Sequence, residues 1–431
     1  DGVRIAAYNG ANAPGCDPLT VVTGTLPACV GAAIQNAPLT DAVINFIAPS
    51  FEWPETTTLN LTYDRQIGDW TFTGTYLHAD QEEALYKIID GSPLKGDQPL
   101  TPTLQAPDGR PIYNQTGRNT YKGGLYNESG GEREVYSLAF SRYFNDGDGS
   151  FSIGYTHQDS DELSGMASTT ANSSYGKYAA SDYNNRNAQR SIYETEHRLF
   201  ATMSSTHYFF GADKPTTFNV YFERKSGLPG TYSWDTYTSR NYGGTAYQRE
   251  AFGYEKNLND DSSHLIYVPS GVNDPNVCWG SCTGAPDLAI ANQVLDMLYN
   301  QLGLSGYAGQ IVENGVYEYP WRTSLDLKIT QILPGFRAED EFVISLGIMN
   351  LLNLIDSNRG EAKYGPYNGK MAVLDMFMND DFSKYIYPNY KGRGYPDWAY
   401  GFNKSNPKGI RKSAVNSIWR AQLGFTYKFS F

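Results

Sequence analysis

The last thirteen residues, WRAQLGFTYKFSF from Trp419 to Phe431, alternate apolar and polar side chains without a break. Side chains of an extended chain point alternately to opposite faces, so this segment is predicted to be a β-strand. Its apolar face would comprise Trp419, Ala421, Leu423, Phe425, Tyr427, Phe429 and Phe431, and its polar face Arg420, Gln422, Gly424, Thr426, Lys428 and Ser430. Such a strand suits either an antiparallel sheet on a soluble core or a transmembrane barrel.

The same two-faced pattern recurs along the chain. About nine segments show it, each near the 9–11 residues that cross a bilayer when tilted: 59–63, 70–76, 134–144, 150–157, 197–210, 216–225, 324–330, 341–352 and 419–431. No run of 18 apolar residues is present and the mean hydropathy is −0.49, which excludes a helical membrane protein. No linker or fixed-period repeat divides the chain, so 1–431 is read as one domain.

The connections between these segments alternate in length. Four are tight (65–69, 145–149, 211–215 and 334–341) and four are long (81–131, 160–191, 226–320 and 354–414). Outer-membrane barrels have short periplasmic turns and long external loops. This sorting favours an all-β transmembrane antiparallel barrel with long extracellular loops, and a large soluble β protein is the alternative.

The number of strands leads to a further expectation. An odd number of strands, about nine, would place Asp1 outside the cell and Phe431 in the periplasm. An open sheet of nine strands would also leave unpaired backbone N–H and C=O groups at its two edges, which the hydrocarbon of a bilayer does not permit. The chain is therefore predicted to be the distal portion of a larger barrel. Alternating Phe425, Tyr427, Phe429 and Phe431 resemble the terminal signal for outer-membrane assembly, and an aromatic girdle at the inner interface is a compatible reading.

Four stretches resemble the distal barrel of TonB-dependent receptors, in particular the Oar-like group. They are DSSHLIYVPSG (261–271), WRTSLDLKITQILPGFRAEDEFVISLGIMNLLNLIDSNRGEAKYG (321–365), VLDMFMNDDFSKYIYPNY (373–390) and the terminal strand (419–431). The resemblance covers chiefly 261–272, 320–365 and 415–431, and elsewhere the order of strands and loops agrees.

This resemblance implies a barrel of about 22 strands around a plug, of which this sequence holds about nine strands and no plug or energy-coupling box. It implies transport of a nutrient, peptide or protein cargo across the outer membrane of a Gram-negative bacterium. The implied partners are lipid and lipopolysaccharide, the remaining strands and plug, an inner-membrane energy-coupling protein and the barrel-assembly machinery. A passive porin and a surface adhesin or receptor anchored by a barrel are the alternative functions.

Four cysteines lie in segments expected to be external. Local bridges Cys16–Cys29 and Cys278–Cys282 are favoured, because each closes a short loop in an oxidising compartment. A zinc site made by the four cysteines is the competing reading.

Charge and motifs exclude several classes of function. With 34 Lys and Arg against 46 Asp and Glu, the net charge of −12 argues against a nucleic-acid partner. No HExxH, GxSxG or P-loop motif is present and the five histidines are scattered, so no enzyme is expected. No cofactor or metal site is expected, although NDGDG at 145–149 and the acidic loops leave calcium open. Helical spacing in 286–303 predicts one short helix inside the largest loop.

Two aromatic clusters in the loops are the candidates for cargo contact. Aromatic faces beside polar groups suit sugars, peptides or chelates, and the alternative is loop packing plus an outer aromatic belt. The candidates are Tyr232 and Trp234 in the first cluster and Tyr385, Tyr387, Tyr390, Arg393, Tyr395 and Trp398 in the second.

Overall fold

A computed structural model describes residues 44–89, 101–102, 104–113, 122–164, 174–175, 178–235, 241–242, 245–246, 264–337, 339–366, 369–379, 381–388 and 409–429. The chain divides into two compact units, 1–44 with 116–122 and 45–115 with 123–431. The first consists almost wholly of residues outside the described ranges, and the fold is therefore that of the second.

Nine antiparallel strands, each paired with its neighbours in chain order, form one sheet. They are β1 (Thr56–Ile67), β2 (Trp70–Ile88), β3 (Lys122–Phe144), β4 (Gly149–Glu162), β5 (His197–His207), β6 (Thr216–Lys225), β7 (Arg322–Pro334), β8 (Glu341–Met349) and β9 (Arg420–Lys428). Two short strands, Ile44–Ile47 and Gln189–Arg190, attach to β3 and β4. The predicted all-β class and antiparallel order are confirmed. Within the described ranges β1 pairs only with β2, and β9 only with β8, so the sheet is open and no closed barrel is formed.

Short and long connections leave opposite ends of the strands, as predicted. Segments 68–69, 145–148, 208–215 and 335–340 turn at one end, and 89–121, 163–196, 226–321 and 350–419 connect the strands at the other. Gly68, at φ +59°, allows the two-residue turn between β1 and β2, because a side chain there would strain the backbone.

The strands are longer than the sequence suggests. β2 has 19 residues and β3 has 23, so this hairpin extends well into the segment predicted to be the loop 81–131. The pairing shifts between Gln81 and Glu82, where Gly130 is the extra residue at φ +138°. A bulge of this kind bends and twists the hairpin where it leaves the main sheet.

The long connections fold into what we call the loop layer, the described parts of 101–113, 174–196, 226–320 and 363–388. Nearly all of the buried core lies there, whereas the main sheet has few buried side chains. It contains α1 (Leu288–Asp296), which continues as a π-helix over Met297–Gln301, and the 3-10 turn Ser305–Tyr307. The predicted helix in 286–303 is confirmed, and Asp287 caps its first turn.

The described connections also contain fifteen short strands, which are joined by turns and irregular segments. They are Leu104–Gln105, Pro111–Ile112, Pro229–Asp235, Asn241–Tyr242, Thr245–Ala246, His264–Leu265, Tyr267–Val268, Val277–Gly280, Gln310–Ile311, Tyr317–Glu318, Lys363–Tyr364, Lys370–Asp375, Phe377–Met378, Tyr385–Pro388 and Arg411–Lys412.

The strand predicted over 341–352 is too long in the sequence reading. β8 ends at Met349, and Leu351–Ile355 forms a short helix, α2. Asn350 between them has a left-handed backbone at φ 56°. Its Nδ2 donates to the carbonyl oxygens of Gly360 (2.9 Å) and Ser417 (3.1 Å), and its backbone N–H donates to Asp326 Oδ1 at 2.7 Å. These hydrogen bonds fix the end of the strand.

Candidate functional site

The register of the sheet gathers the apolar residues of all nine strands on one face. Leu423 lies opposite Leu346 and Phe425 opposite Ile344. The same face continues through further cross-strand partners: Leu327, Val220, Met203, Phe151, Ile153, Phe140, Phe72 and Leu61. Leu61, Leu423 and Phe425 are 57–61% exposed. Soluble monomers rarely expose an apolar surface that extends across a whole sheet.

A line of five aromatic rings crosses this face near the end that carries the loop layer. Tyr76 packs on Tyr136 at 5.1 Å between ring centroids, and Tyr136 on His157 at 6.4 Å. His157 stacks on His197 at 5.1 Å, and His197 on Trp321 at 5.7 Å. Rings with polar edges are enriched where a protein passes from hydrocarbon to water.

Ionisable residues begin directly beyond this line. His78 and Asp80 follow Tyr76 on β2, Glu134 and Glu132 lie beyond Tyr136 on β3, and Asp159 and Asp161 lie beyond His157 on β4. On the other side of the line the same strands carry Phe72, Leu138, Phe140 and Ile153. The rings therefore divide a mainly apolar band, which also carries Arg65, Arg142 and Arg224, from an acidic belt.

The opposite face of the sheet is polar. Hydroxyl groups pair across it, as in Ser137 with Thr156 and Thr206 with Thr217, both at 3.0 Å. Arg198 Nε donates to Glu223 Oε1 at 2.8 Å. A groove of about 630 Å³ runs over β5 to β9 and is lined by polar side chains that include Thr202, Ser204, Asn219, Tyr221, Asp326, Lys328, Ser345 and Gln422.

A second cavity, of about 650 Å³, lies in the loop layer. Asp161, Gln189, Arg190 and Glu313 bring charged and amide groups to it, and Leu265, Val312 and Val316 bring apolar ones. Oε1 of Gln189 is shielded from solvent and accepts no hydrogen bond within the described ranges. This cavity was not predictable from the sequence, because its residues come from β4 and two separate connections and form no motif.

Arg190 is the charged centre of the cavity wall. Its guanidinium donates to Glu194 Oε1 and Glu196 Oε2 at 2.6 Å and to Glu318 Oε1 at 2.9 Å. Burial raises the pKa of Glu194, and the hydrogen bonds from Arg190 and from the backbone N–H of Ser160 oppose that rise. Three carboxylates around one guanidinium hold this corner of the cavity rigidly.

The two predicted aromatic clusters meet, but inside the core of the loop layer. Tyr232, Trp234, Tyr385 and Tyr387 are fully buried. Trp234 packs on Tyr385 at 4.8 Å, while Tyr387 stacks on Trp279 at 5.4 Å. Their rings hold the layer together and do not line either cavity described above. Their role in cargo contact stays a prediction, and Tyr390, Arg393, Tyr395 and Trp398 lie outside the described residues.

A buried arginine that the sequence did not single out completes this core. The guanidinium of Arg110 lies 4.7 Å from the centroid of the Trp234 ring, and Arg110 Nε donates to Asp108 Oδ2 at 2.9 Å. Both side chains are almost fully buried. A buried cation requires such a paired carboxylate and aromatic face.

One predicted disulfide is present. Cys278 and Cys282 are joined, with Cα atoms 5.0 Å apart, next to the Trp279 that stacks on Tyr387. A zinc site made by all four cysteines is therefore excluded, because Cys278 and Cys282 are joined to each other and cannot act as thiolate ligands. Cys16 and Cys29 lie outside the described residues, so their pairing stays a prediction.

The predicted assembly residues lie on the outermost strand. Phe425 and Phe429 are exposed, and Tyr427 is partly buried against the turn between β7 and β8. Phe431 lies outside the described residues. Phe425 and Phe429 thus lie exposed on the apolar face of β9, and the assembly signal stays a prediction.

No family model matches this chain, and no curated protein is significantly similar to it. None of the helices in the described ranges has both the length and the apolar character needed to cross a membrane.

Proposed function

We propose that this chain forms part of the wall of an outer-membrane transporter of the TonB-dependent type, with the loop layer outside the cell. The observation that carries this proposal is the bounded apolar face of the sheet. It presents exposed Leu, Phe and Ile side chains to its surroundings and stops at a line of rings, beyond which carboxylates begin. Transmembrane barrels have this banded exterior and a polar interior.

The polar face then faces the lumen. It offers hydroxyl, amide and charged groups along β5 to β9, and Lys428 Nζ pairs with Glu341 Oε2 at 3.1 Å on that face. A lysine at the lipid midplane would cost about 2–4 kcal/mol. The polar groove suits passage of a hydrated or hydrogen-bonding cargo.

Additional strands are needed at both edges of the sheet. The backbone groups of β1 and β9 on their outer edges would be unpaired in hydrocarbon, at several kcal/mol for each group. We propose that residues outside the described ranges, or another polypeptide, pair with them. In the transporter, a plug and an inner-membrane energy-coupling protein complete the mechanism.

The loop-layer cavity is the proposed external site for cargo. It combines the guanidinium of Arg190, the carboxylates of Asp161 and Glu313 and an apolar wall. This mixture suits a polar molecule of peptide or sugar type, because such a ligand needs both orienting hydrogen bonds and apolar contact.

A matched pair of cysteine variants tests the membrane assignment. Leu423→Cys should be protected from a membrane-impermeant maleimide in outer-membrane vesicles, whereas Gln422→Cys, next to it on the polar face, should be labelled. Equal labelling of both would overturn the proposal.

Uptake measurements then separate the three functions. Intact cells are supplied with a labelled peptide and sugar mixture, with and without the proton-motive force. A transporter should lose uptake when the force is removed. Uptake that is unchanged without the force would indicate a passive porin. Surface binding without any uptake would indicate an adhesin. Either result would overturn the proposed transport activity.

A further inference from the structure

Two histidines stand directly opposite each other where the sheet enters the loop layer. His157 on β4 and His197, the first residue of β5, are cross-strand partners. Their Nδ1 atoms are 3.4 Å apart and their rings are stacked, with 29° between the planes. Two imidazole nitrogens this close are well placed to share one cation.

A carboxylate lies beside the pair. Oε1 of Glu196 is 3.2 Å from Nε2 of His197, while Oε2 of Glu196 accepts from Arg190. One nitrogen from each ring and one oxygen of Glu196 all lie within 4.8 Å of one another. Ligand atoms around a tetrahedral zinc ion, at about 2.0–2.2 Å from it, are separated by about 3.3–3.5 Å. Because His157 lies against Nδ1 of His197 and Glu196 lies against its Nε2, His197 would have to turn so that one nitrogen faces both groups, and its Nδ1 would give up the contact with the Tyr155 hydroxyl at 2.8 Å.

We propose that His157, His197 and Glu196 form a binding site for a divalent transition-metal ion, with Zn²⁺ the best match. Two imidazoles and one carboxylate are a ligand set that zinc accepts in a tetrahedral site with an open fourth position. Calcium and magnesium prefer oxygen ligands, so two ring nitrogens argue against them.

The surrounding residues hold the ligands in place. Trp321 stacks on His197 with 17° between the planes, and Tyr136 stacks on His157 with 23°. Arg190 fixes Glu196 through its second carboxylate oxygen. The side chains of His197 and Glu196 remain 31% and 29% exposed, so an ion can enter from solvent. Neighbours that orient the ligands in this way raise metal affinity.

A second group nearby is the weaker candidate. His78 lies near Glu132 and Glu134, but it supplies a single imidazole. Both oxygens of Glu134 also accept hydrogen bonds, from the hydroxyls of Tyr76 at 2.9 Å and Tyr136 at 3.0 Å. Both oxygens of Glu134 are thus already engaged, whereas Oε1 of Glu196 lies 3.2 Å from a ring nitrogen of His197.

The proposed ion would join the end of β4 to the start of β5. The connection 163–196 begins and ends there, and it carries Gln189 and Arg190 to the loop-layer cavity. A bound ion would tie Glu196 to both strands, and Arg190 bridges from Glu196 to that cavity. The site would thus stabilise one wall of the cavity, whether or not the cavity binds cargo.

Isothermal titration calorimetry tests the site. The whole protein is held in detergent micelles and is first treated with a chelator to remove bound metal ions. Zn²⁺ titration at neutral pH should show one site, and His157→Ala, His197→Ala and Glu196→Gln should each weaken it by about 10- to 100-fold or more. The control is His207→Ala, because His207 lies at the opposite end of β5 and contacts Ser205 and Phe209 instead. It should leave the affinity unchanged.

Fluorescence gives a second readout that does not depend on the ligand variants. Ni²⁺ should quench the indole of Trp321 because of its stacking on His197, and Trp321→Phe should remove that quenching while retaining the heat of Zn²⁺ binding. Absence of a zinc site in the unaltered protein, or a site abolished by His78→Ala and insensitive to His157→Ala and His197→Ala, would overturn the proposal.

Discussion

The hydroxyl of Tyr427, on the outermost strand, donates a hydrogen bond to Oδ2 of Asp340 at 2.5 Å and accepts one from the backbone N–H of Phe336 at 3.0 Å. Both partners lie in the turn between β7 and β8, and Asp340 is almost fully buried. One side chain thus ties β9 to the neighbouring hairpin at the end with the short turns, where β9 has no second strand in the described part of the sheet.

Removing that hydroxyl should loosen the last strand. Tyr427→Phe should lower the free energy of unfolding by about 1–3 kcal/mol, because a hydrogen bond to a buried carboxylate is lost. Urea titration followed by heat-modifiable migration on a gel measures this. Tyr63→Phe is the control, since the exposed Tyr63 hydroxyl makes no hydrogen bond within the described ranges; equal loss in both variants would contradict the prediction.

A charge should be tolerated on one face of β9 and not on the other. Leu423→Lys, opposite Leu346, should cost about 2–4 kcal/mol in a lipid bilayer, whereas Gln422→Lys on the polar face should cost less than 1. Unfolding in lipid vesicles compares the two variants directly. Similar losses would mean that the apolar face does not meet lipid.

The Cys278–Cys282 bridge should stabilise the loop layer. Replacing both cysteines by serine should cost about 2 kcal/mol, the loop entropy expected for so short a ring. Limited proteolysis of the external region reports the loss. The cleavage rate should rise in the double variant and in the reduced protein, and the main sheet should remain intact; no change in rate would exclude a stabilising role.

Alkaline pH should unfold the loop layer. Burial, together with the hydrogen bond that the Tyr267 hydroxyl donates to Asp274 at 3.0 Å, raises the pKa of Tyr267 from 10.0 to about 12, against the opposing hydrogen bond from Asn276. The folded state therefore favours the neutral phenol, and its stabilisation is complete below pH 10 and is lost as pH rises through 12.

Tyrosinate absorbance near 295 nm and near-ultraviolet circular dichroism would follow this transition. In Tyr267→Phe, the free energy of unfolding should fall less steeply between pH 10 and 12 than in the unaltered protein. An identical slope would show that Tyr267 does not contribute.

Cys16 and Cys29 should be joined to each other. Non-reducing peptide mapping of the purified protein should recover them in one cross-linked peptide pair, separate from the pair that contains Cys278 and Cys282. Free thiols at Cys16 and Cys29, or a link between Cys16 and Cys282, would show the local pairing to be wrong.

The strands of the sheet were predictable from local sequence alone. The alternation of apolar and polar residues in segments such as 419–431 depends only on the geometry of an extended chain. The number of strands, their order in the sheet and its two faces could therefore be predicted without tertiary information. The sorting of short and long connections, the helix in 286–303 and the Cys278–Cys282 bridge were also readable, because each rests on local spacing.

The packing of the long connections, in contrast, was not predictable from the sequence. Trp234 and Tyr385 meet in one core, Arg190 gathers three carboxylates, and His157 faces His197, although nothing in their local sequence indicates these partners. Such contacts depend on which distant segments the sheet brings to its loop end. They also explain why rings predicted to contact cargo are buried: the alternation in a strand reports which face is apolar, whereas an aromatic residue in a loop is equally suited to a surface and to a core until its neighbours are known.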